Sequence, residues 1–304
     1  MLAPIARATI AERWQGQPFD LMIALHARRS AESIAAWDRA RARQGARSRL
    51  PLIVVLTGTD LYRDLRTSAQ AQRSLQRADA LVVLQEQGPA SLAPAARRKT
   101  TVIYQSGGRR KAQPKTDRHL RAIMVAHLRE EKNPRTLFEA ARLLGARADI
   151  RIDLVGAALD PRLGRLSAAT QRACPQFRWL GALPHADTLR RIQRAHLVVN
   201  ASSIEGGAHA VLEAVRAGTP VLASRIPGNV GMLGAGYAGY FPCGDAGALA
   251  RLLQRCRDEP GLLATLRRQC RARASRFEPH REQRALAGLV SRLLKAGAGT
   301  TEDR

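Results

Sequence analysis

The stretch Asn200–Gly218, NASSIEGGAHAVLEAVRAG, decides how this chain reads. It follows the apolar run Leu197–Val199 and passes into a helical pattern, His209–Ala217. A strand, a glycine-bearing loop and a helix in that order suit a phosphate-binding turn. Gly206 and Gly207 let a ligand approach the backbone. Ser202 and Ser203 are residue types that cap a helix start, and free amides at such a start attract phosphate. Glu205 lies in the loop, and Glu213, eight residues on, is expected two turns into the helix. Carboxylates flanking a phosphate site suit a sugar nucleotide, because they accept hydrogen bonds from ribose and sugar hydroxyls. The same residues also fit a capped core helix carrying two exposed glutamates.

Working outward, short apolar runs recur along the chain. Strands are expected at Ala8–Glu12, Leu21–Leu25, Leu52–Leu56, Ala80–Leu84 and Thr101–Tyr104. A second set is expected at Ala122–Val125, Ile150–Val155, Phe177–Leu180, Leu197–Asn200, Val221–Ala223 and Gly239–Phe241. Helical patterns separate them, among them Ser30–Ala46, Thr136–Leu144, Asp187–Arg194 and His209–Ala217. Strands alternating with helices predict an α/β fold with parallel sheets covered on both faces. GGRRKAQPKTDR, Gly107–Arg118, is polar and reads as a linker. The organisation expected is an N-terminal Rossmann-like domain over 1–106, the linker at 107–118, and a second Rossmann-like domain over 119–275. A helix at 276–296, centred on Glu282–Leu294, and a tail at 297–304 complete it. Two such halves make a cleft, with ligands at the carboxyl ends of the strands.

The chain has 304 residues and a formal charge of +25, with 50 Lys plus Arg. Only five are lysines (Lys99, Lys111, Lys115, Lys132 and Lys295), and the arginines are spread along the sequence. With aromatics at 4% and no nucleic-acid motif, no nucleic-acid partner is expected, while a small anionic ligand fits the charge. No apolar run is long enough for a membrane span. Cys174, Cys243, Cys256 and Cys270 are far apart, so neither a zinc site nor a disulfide framework is expected, and a reducing cytoplasm fits best. Cys174, Cys256 and Cys270 lie in sequence contexts that read as polar.

The Asn200–Gly218 stretch resembles the E-x7-E signature of GT-B glycosyltransferases, especially family 4. The resemblance implies two Rossmann-like domains facing across a cleft. It also implies that Glu213 contacts the donor ribose and Glu205 the donor sugar. TPVLASRIPGNVGML, Thr219–Leu233, resembles the next strand and loop, placing Gly228 and Asn229 against the transferred sugar. VAHLREEKNPRTLFEA, Val125–Ala140, is similar to the family's G-R-x4-K stretch, which grips the leaving diphosphate. Lys132 fits it; Ala126 and His127 replace the usual Gly-Arg, and Arg129 is the candidate for the displaced charge. No D-x-D occurs, so the resemblance implies a UDP-sugar donor with no cofactor and no bound metal.

Further phrases, LHARRS (Leu25–Ser30), LTGTDLYRDL (Leu56–Leu65), VIYQS (Val102–Ser106), GAALDP (Gly156–Pro161), RWLGALPH (Arg178–His185) and GYFPCGD (Gly239–Asp245), are together similar to one subfamily, the selenosugar synthases of selenoneine biosynthesis. The resemblance spans roughly Ala8 to Asp245. It implies transfer of N-acetylglucosamine from UDP-N-acetylglucosamine to the selenium of selenophosphate. It also implies a selenophosphate synthetase and a non-haem iron selenoneine synthase as pathway neighbours. A conventional O-glycosyltransferase and a non-catalytic sugar-nucleotide binder remain the alternatives.

On the N-terminal side, His26 with Arg28 and Arg29, and Asp60 with Arg63, follow strand ends. They are expected on the rim of the cleft as an acceptor pocket. The arginines would hold the acceptor phosphate, and His26 or Asp60 would handle protons; the alternative is a helix-start cluster bonded to nearby turns. His127 is the third catalytic candidate, facing the diphosphate or the sugar. His185 and His209 are weaker candidates, and His119, His196 and His280 read as structural or exposed. Trp14, Trp37 and Trp179 read as packing residues. Relative to the family pattern, a first strand, loop and helix are missing before ARATIAERW. That implies a start at an internal methionine or a degraded paralogue, and an opening in the middle of the N-terminal sheet.

Overall fold

Runs such as LIVVL and IRIDLV are rich in β-branched and leucine side chains with few polar positions, as strands buried on both faces require. In the computed structural model, which describes residues 2, 5–43 and 50–298, they build two parallel sheets in two separate units. One unit comprises Met1–Ser106 with Pro279–Arg304, the other Gly107–Glu278.

The first unit holds four parallel strands in chain order: β1 (Met22–Leu25), β2 (Leu52–Leu56), β3 (Ala80–Val83) and β4 (Thr100–Val102). The period-two alternation of strand side chains splits them between two cores. Leu52, Val54, Leu56, Leu81 and Val83 pack with Ile34 and Trp37 of the helix Ala31–Arg43 and with Ala71 and Leu75 of the helix Ala69–Arg77. Ile53, Ala80 and Val82 face the other way, onto Leu289 and Val290 of the helix Pro279–Ala298. The C-terminal helix is therefore the second cover of the N-terminal sheet. The end of the Ser30–Ala46 expectation, 44–46, and the tail from 299 onward lie outside the described residues.

Two expectations fail here. Ala8–Glu12 forms no strand, and Ile10 is 98% exposed. The segment is fixed farther on, where Trp14 packs edge-on against Trp37 with ring centroids 5.1 Å apart and its amide bonds Ser33 Oγ. Nor does a gap divide the sheet: the four strands pair in sequence, and among the described residues β1 is simply an edge.

The second unit is a six-stranded parallel sheet of β5 (Leu120–Val125), β6 (Ile150–Val155), β7 (Phe177–Trp179), β8 (Leu197–Asn200), β9 (Val221–Ser224) and β10 (Tyr240–Phe241). Their order is β10-β9-β8-β5-β6-β7, so the chain reverses direction across the sheet between β5 and β8. Loops leaving the carboxyl ends of those two strands diverge and leave a crevice, the usual ligand position in such sheets. Gly107–Arg118 forms no helix or strand but is held against this unit. Gly107 N bonds Phe277 O, Arg216 Nε bonds Gly107 O, and Arg110 N bonds Arg216 O. Cys174, Cys256 and Cys270 are buried rather than in polar surroundings: Cys256 and Cys270 lie on the buried sides of the helices Ala246–Asp258 and Pro260–Arg273, and Cys174 follows the helix Pro161–Ala173. No helix among the described residues is long and apolar enough to cross a membrane.

Candidate active site

The crevice at the β5/β8 reversal is a pocket of about 330 Å³ lined by residues of both diverging loops. After β5 come Ala126, His127 and Lys132; after β6, Gly156; at the end of β8, Asn200, and after it Ser202 and Glu205. The helix His209–Arg216 contributes Glu213, and the helix His185–Arg194 contributes His185.

Local sequence explains how Lys132 arrives there. It ends a single 3-10 turn, Glu130–Lys132, closed by Asn133 at φ 46°. Asparagine tolerates this left-handed conformation better than most residues. Pro134 then starts the helix Pro134–Leu143 at the position where its missing N–H costs nothing. The turn is tied to the β8 loop by Ser203 N, which bonds Glu131 O at 2.9 Å.

Glu205 is buried, and three donors converge on one of its oxygens. Lys132 Nζ lies 2.7 Å from Oε1, Ser202 Oγ 2.6 Å, and Asn200 Nδ2 3.4 Å. Among the described residues no donor reaches the other oxygen, Oε2. Beneath this loop, Asn229 is fully buried and donates to Asn200 Oδ1, Ser224 O and Ser224 Oγ. Ser224 Oγ in turn donates to Ser202 O at 2.5 Å. A Cβ on Gly228 would overlap the Glu205 carbonyl, and a Cβ on Gly156 would overlap that of Ala126. Both glycines are thus required by close backbone approach. Gly206 is buried beside Glu205, and Gly207 is partly exposed.

Glu213 carries a matching arrangement: its Oε1 receives His185 Nε2 at 2.6 Å, and among the described residues no donor reaches its Oε2. Two details depart from expectation. The helix begins at His209 with Ala208 at its cap, so Glu213 stands one turn in, not two. Ser202 and Ser203 do not cap it; their hydroxyls serve Glu205 and the Glu131 carbonyl. His127 lines the pocket with Nδ1 accepting from Ala157 N at 3.0 Å, which leaves the ring proton on Nε2. His209 lines it too, whereas Arg129 is exposed at the start of the 3-10 turn and outside the pocket lining.

In the first unit, His26 has φ 76° at the end of β1. Its Nδ1 accepts from the amides of Arg28 and Arg29 at 3.3 and 3.2 Å, so Nε2 carries the proton and donates to Thr59 Oγ1 at 3.0 Å. Asp60 is fully buried, and its oxygens are taken by Ala27 N, Thr57 N and Thr57 Oγ1 at 2.8–2.9 Å. Asp64, which sequence reasoning passed over, is buried as well. It lies 3.8 Å from His26 Nε2, 3.7 Å from the Arg28 guanidinium and 3.3 Å from Arg63 Nε. Arg28, Arg29 and Arg63 are all exposed. The D-x-x-x-D spacing of Asp60 and Asp64 was the available signal. Ser202 and Asn200 were also missed as site residues, since their types equally suit turns. Among the described residues no cluster of His, Cys, Asp or Glu could hold a metal ion.

The sequence profile described as glycosyl transferases group 1 matches residues 108–277. Among solved structures, Anabaena HepE in complex with UDP and glucose is similar at 19% identity and TM-score 0.73, covering 90% of this chain and 78% of that one. Sucrose-phosphate synthase from Thermosynechococcus elongatus is similar at 20% identity and TM-score 0.74, covering 91% and 74%. The pneumococcal O-GlcNAc transferase GtfA in complex with UDP and GlcNAc is similar at 18% identity and TM-score 0.61, covering 80% and 53%.

Proposed function

Because the chain belongs to the glycosyl transferases group 1 family, we propose that it is a UDP-sugar-dependent transferase that moves N-acetylglucosamine to the selenium of selenophosphate. The observation that carries the donor half is the pair of pocket glutamates, each with one oxygen tied to the protein and the other without a donor among the described residues. Two such acceptors suit the ribose diol at Glu213 and a sugar hydroxyl at Glu205. Lys132 and the amides of Gly206 and Gly207 then meet the diphosphate, where negative charge grows as UDP leaves. Gly228 and Asn229 act by shape, holding the Glu205 loop; Arg129 is assigned no contact.

The acceptor half rests on the sequence resemblance and on the exposed arginines around His26. Guanidinium groups suit a phosphate-bearing nucleophile. A lone pair on selenium attacks the anomeric carbon as the bond from that carbon to the UDP oxygen breaks and UDP leaves with the electron pair. Hydrolysis of the Se–P bond by water then yields phosphate and the 1-selenol sugar. Selenophosphate is anionic near neutral pH, so no strong base is required. His26, with Nδ1 occupied and Nε2 protonated, is suited to donate a hydrogen bond rather than to accept a proton. Asp60 orients the turn that carries it. His127 presents a protonated Nε2 to the transferring group.

Incubation with UDP-N-acetylglucosamine and freshly generated selenophosphate, followed by mass spectrometry, tests the proposal. A product with the selenium isotope pattern attached to N-acetylhexosamine is expected. Transfer only to a hydroxyl acceptor would leave a conventional O-glycosyltransferase. UDP binding without turnover would leave a sugar-nucleotide binder.

A further inference from the structure

We infer that His185 is a positioning residue for the donor ribose, holding the Glu213 carboxylate ready for the ribose diol. The inference rests on the reading of this pocket as a UDP-sugar site. His185 opens the helix His185–Arg194 directly after Pro184, and its Nε2 lies 2.6 Å from Glu213 Oε1 on the helix His209–Arg216. A carboxylate only accepts, so Nε2 carries the proton and donates. Both side chains line the same pocket.

The two partners differ in exposure. The Glu213 side chain is 12% exposed, whereas the imidazole is 72% exposed. An imidazole so open to solvent contributes little to core packing, and among the described residues its one hydrogen-bond partner is that carboxylate. Lys132, the lysine of the pocket, is engaged by Glu205. Among the described residues, His185 is the side chain that bonds the Glu213 carboxylate and so sets its orientation. A glutamate has three rotatable side-chain bonds, and ordering such a side chain on binding costs about 0.5–1.5 kcal/mol. His185 removes that cost in advance by fixing Oε1, which leaves Oε2 as the acceptor for ribose hydroxyls.

Calorimetry on the full chain with UDP and with 2′,3′-dideoxy-UDP tests this, with thermal unfolding to confirm that each variant folds. His185→Ala is expected to weaken UDP roughly 3- to 10-fold and to leave dideoxy-UDP unchanged, because that nucleotide has no diol for Glu213 to meet. His185→Gln, which keeps an N–H donor, should recover part of the loss. In a Glu213→Ala background, His185→Ala should have no further effect. Equal weakening of both nucleotides would overturn the proposal and assign the imidazole to the base or the phosphates. Unchanged UDP affinity in His185→Ala would overturn it too. Failure of the wild-type chain to bind either nucleotide is a separate result: it removes the UDP-sugar reading, and this inference with it.

Discussion

Lys132 and Glu205, 73 residues apart in sequence, meet at 2.7 Å on a carboxylate oxygen that Ser202 also engages at 2.6 Å. The strand order produces this meeting. β5 and β8 are neighbours at the point where the sheet reverses, so the loops leaving them share one crevice. The consequence is a glutamate with one face neutralised and the other open. If the open oxygen serves the donor sugar, disturbing its support should affect transfer more than nucleotide binding.

Ser202→Ala tests that division. A hydrogen bond to a charged group contributes about 1.5–3 kcal/mol, or roughly 10- to 150-fold. The expected result is a fall in kcat/KM for UDP-N-acetylglucosamine of about tenfold or more, with UDP affinity within about threefold of wild type. Parallel losses in both would place Ser202 at the nucleotide instead.

Glu213→Ala should weaken UDP itself by about 10- to 150-fold, since the lost contact is to the ribose common to UDP and its sugars. Isothermal titration reads this directly. Unchanged UDP affinity would remove Glu213 from the site.

Gly228 carries the floor of the Glu205 loop. A methyl group there would overlap the Glu205 carbonyl, so Gly228→Ala should cost about 2 kcal/mol or more and lower donor affinity as well. Gly288 is the control: it lies within the helix Pro279–Ala298 with open space around its Cβ position. Gly288→Ala should stabilise by up to about 1 kcal/mol through helix propensity alone. Chemical denaturation of the two variants should therefore give opposite signs.

Lys115 provides a pH test. Its Nζ is buried with no hydrogen-bond partner among the described residues, and burial, with Arg267 nearby, pulls its pKa down to about 8. The unfolded chain titrates at about 10.4. Between those values the unfolded state binds more protons, so this residue makes stability rise with pH across that window. Lys115→Met should raise Tm at pH 7, and the gain should shrink by pH 9.5. A gap of equal size at both pH values would contradict the assignment.

Legibility in the sequence followed burial. Leu52–Leu56, Ile150–Val155 and Leu197–Asn200 were readable to the residue because strands covered on both faces are dominated by apolar side chains. Ala8–Glu12, ATIAE, is less apolar and, among the described residues, pairs with no strand; pairing is a tertiary property. Glu205 and Glu213 were legible through loop glycines and spacing. Their partners were not: Ser202 reads equally as a cap or as a carboxylate donor, and nothing local ties His185 to a residue 28 positions later. Asp60 shows the same limit. A carboxylate after a strand end reads as chemistry, yet three donors from neighbouring turns already occupy it.

The most direct test of the central claim is release of UDP from UDP-N-acetylglucosamine with and without selenophosphate, using thiophosphate as a matched control. The expected release depends on selenophosphate and is slower with thiophosphate, whose sulfur is the poorer nucleophile. UDP release indifferent to selenophosphate but stimulated by a hydroxyl-bearing sugar would contradict it.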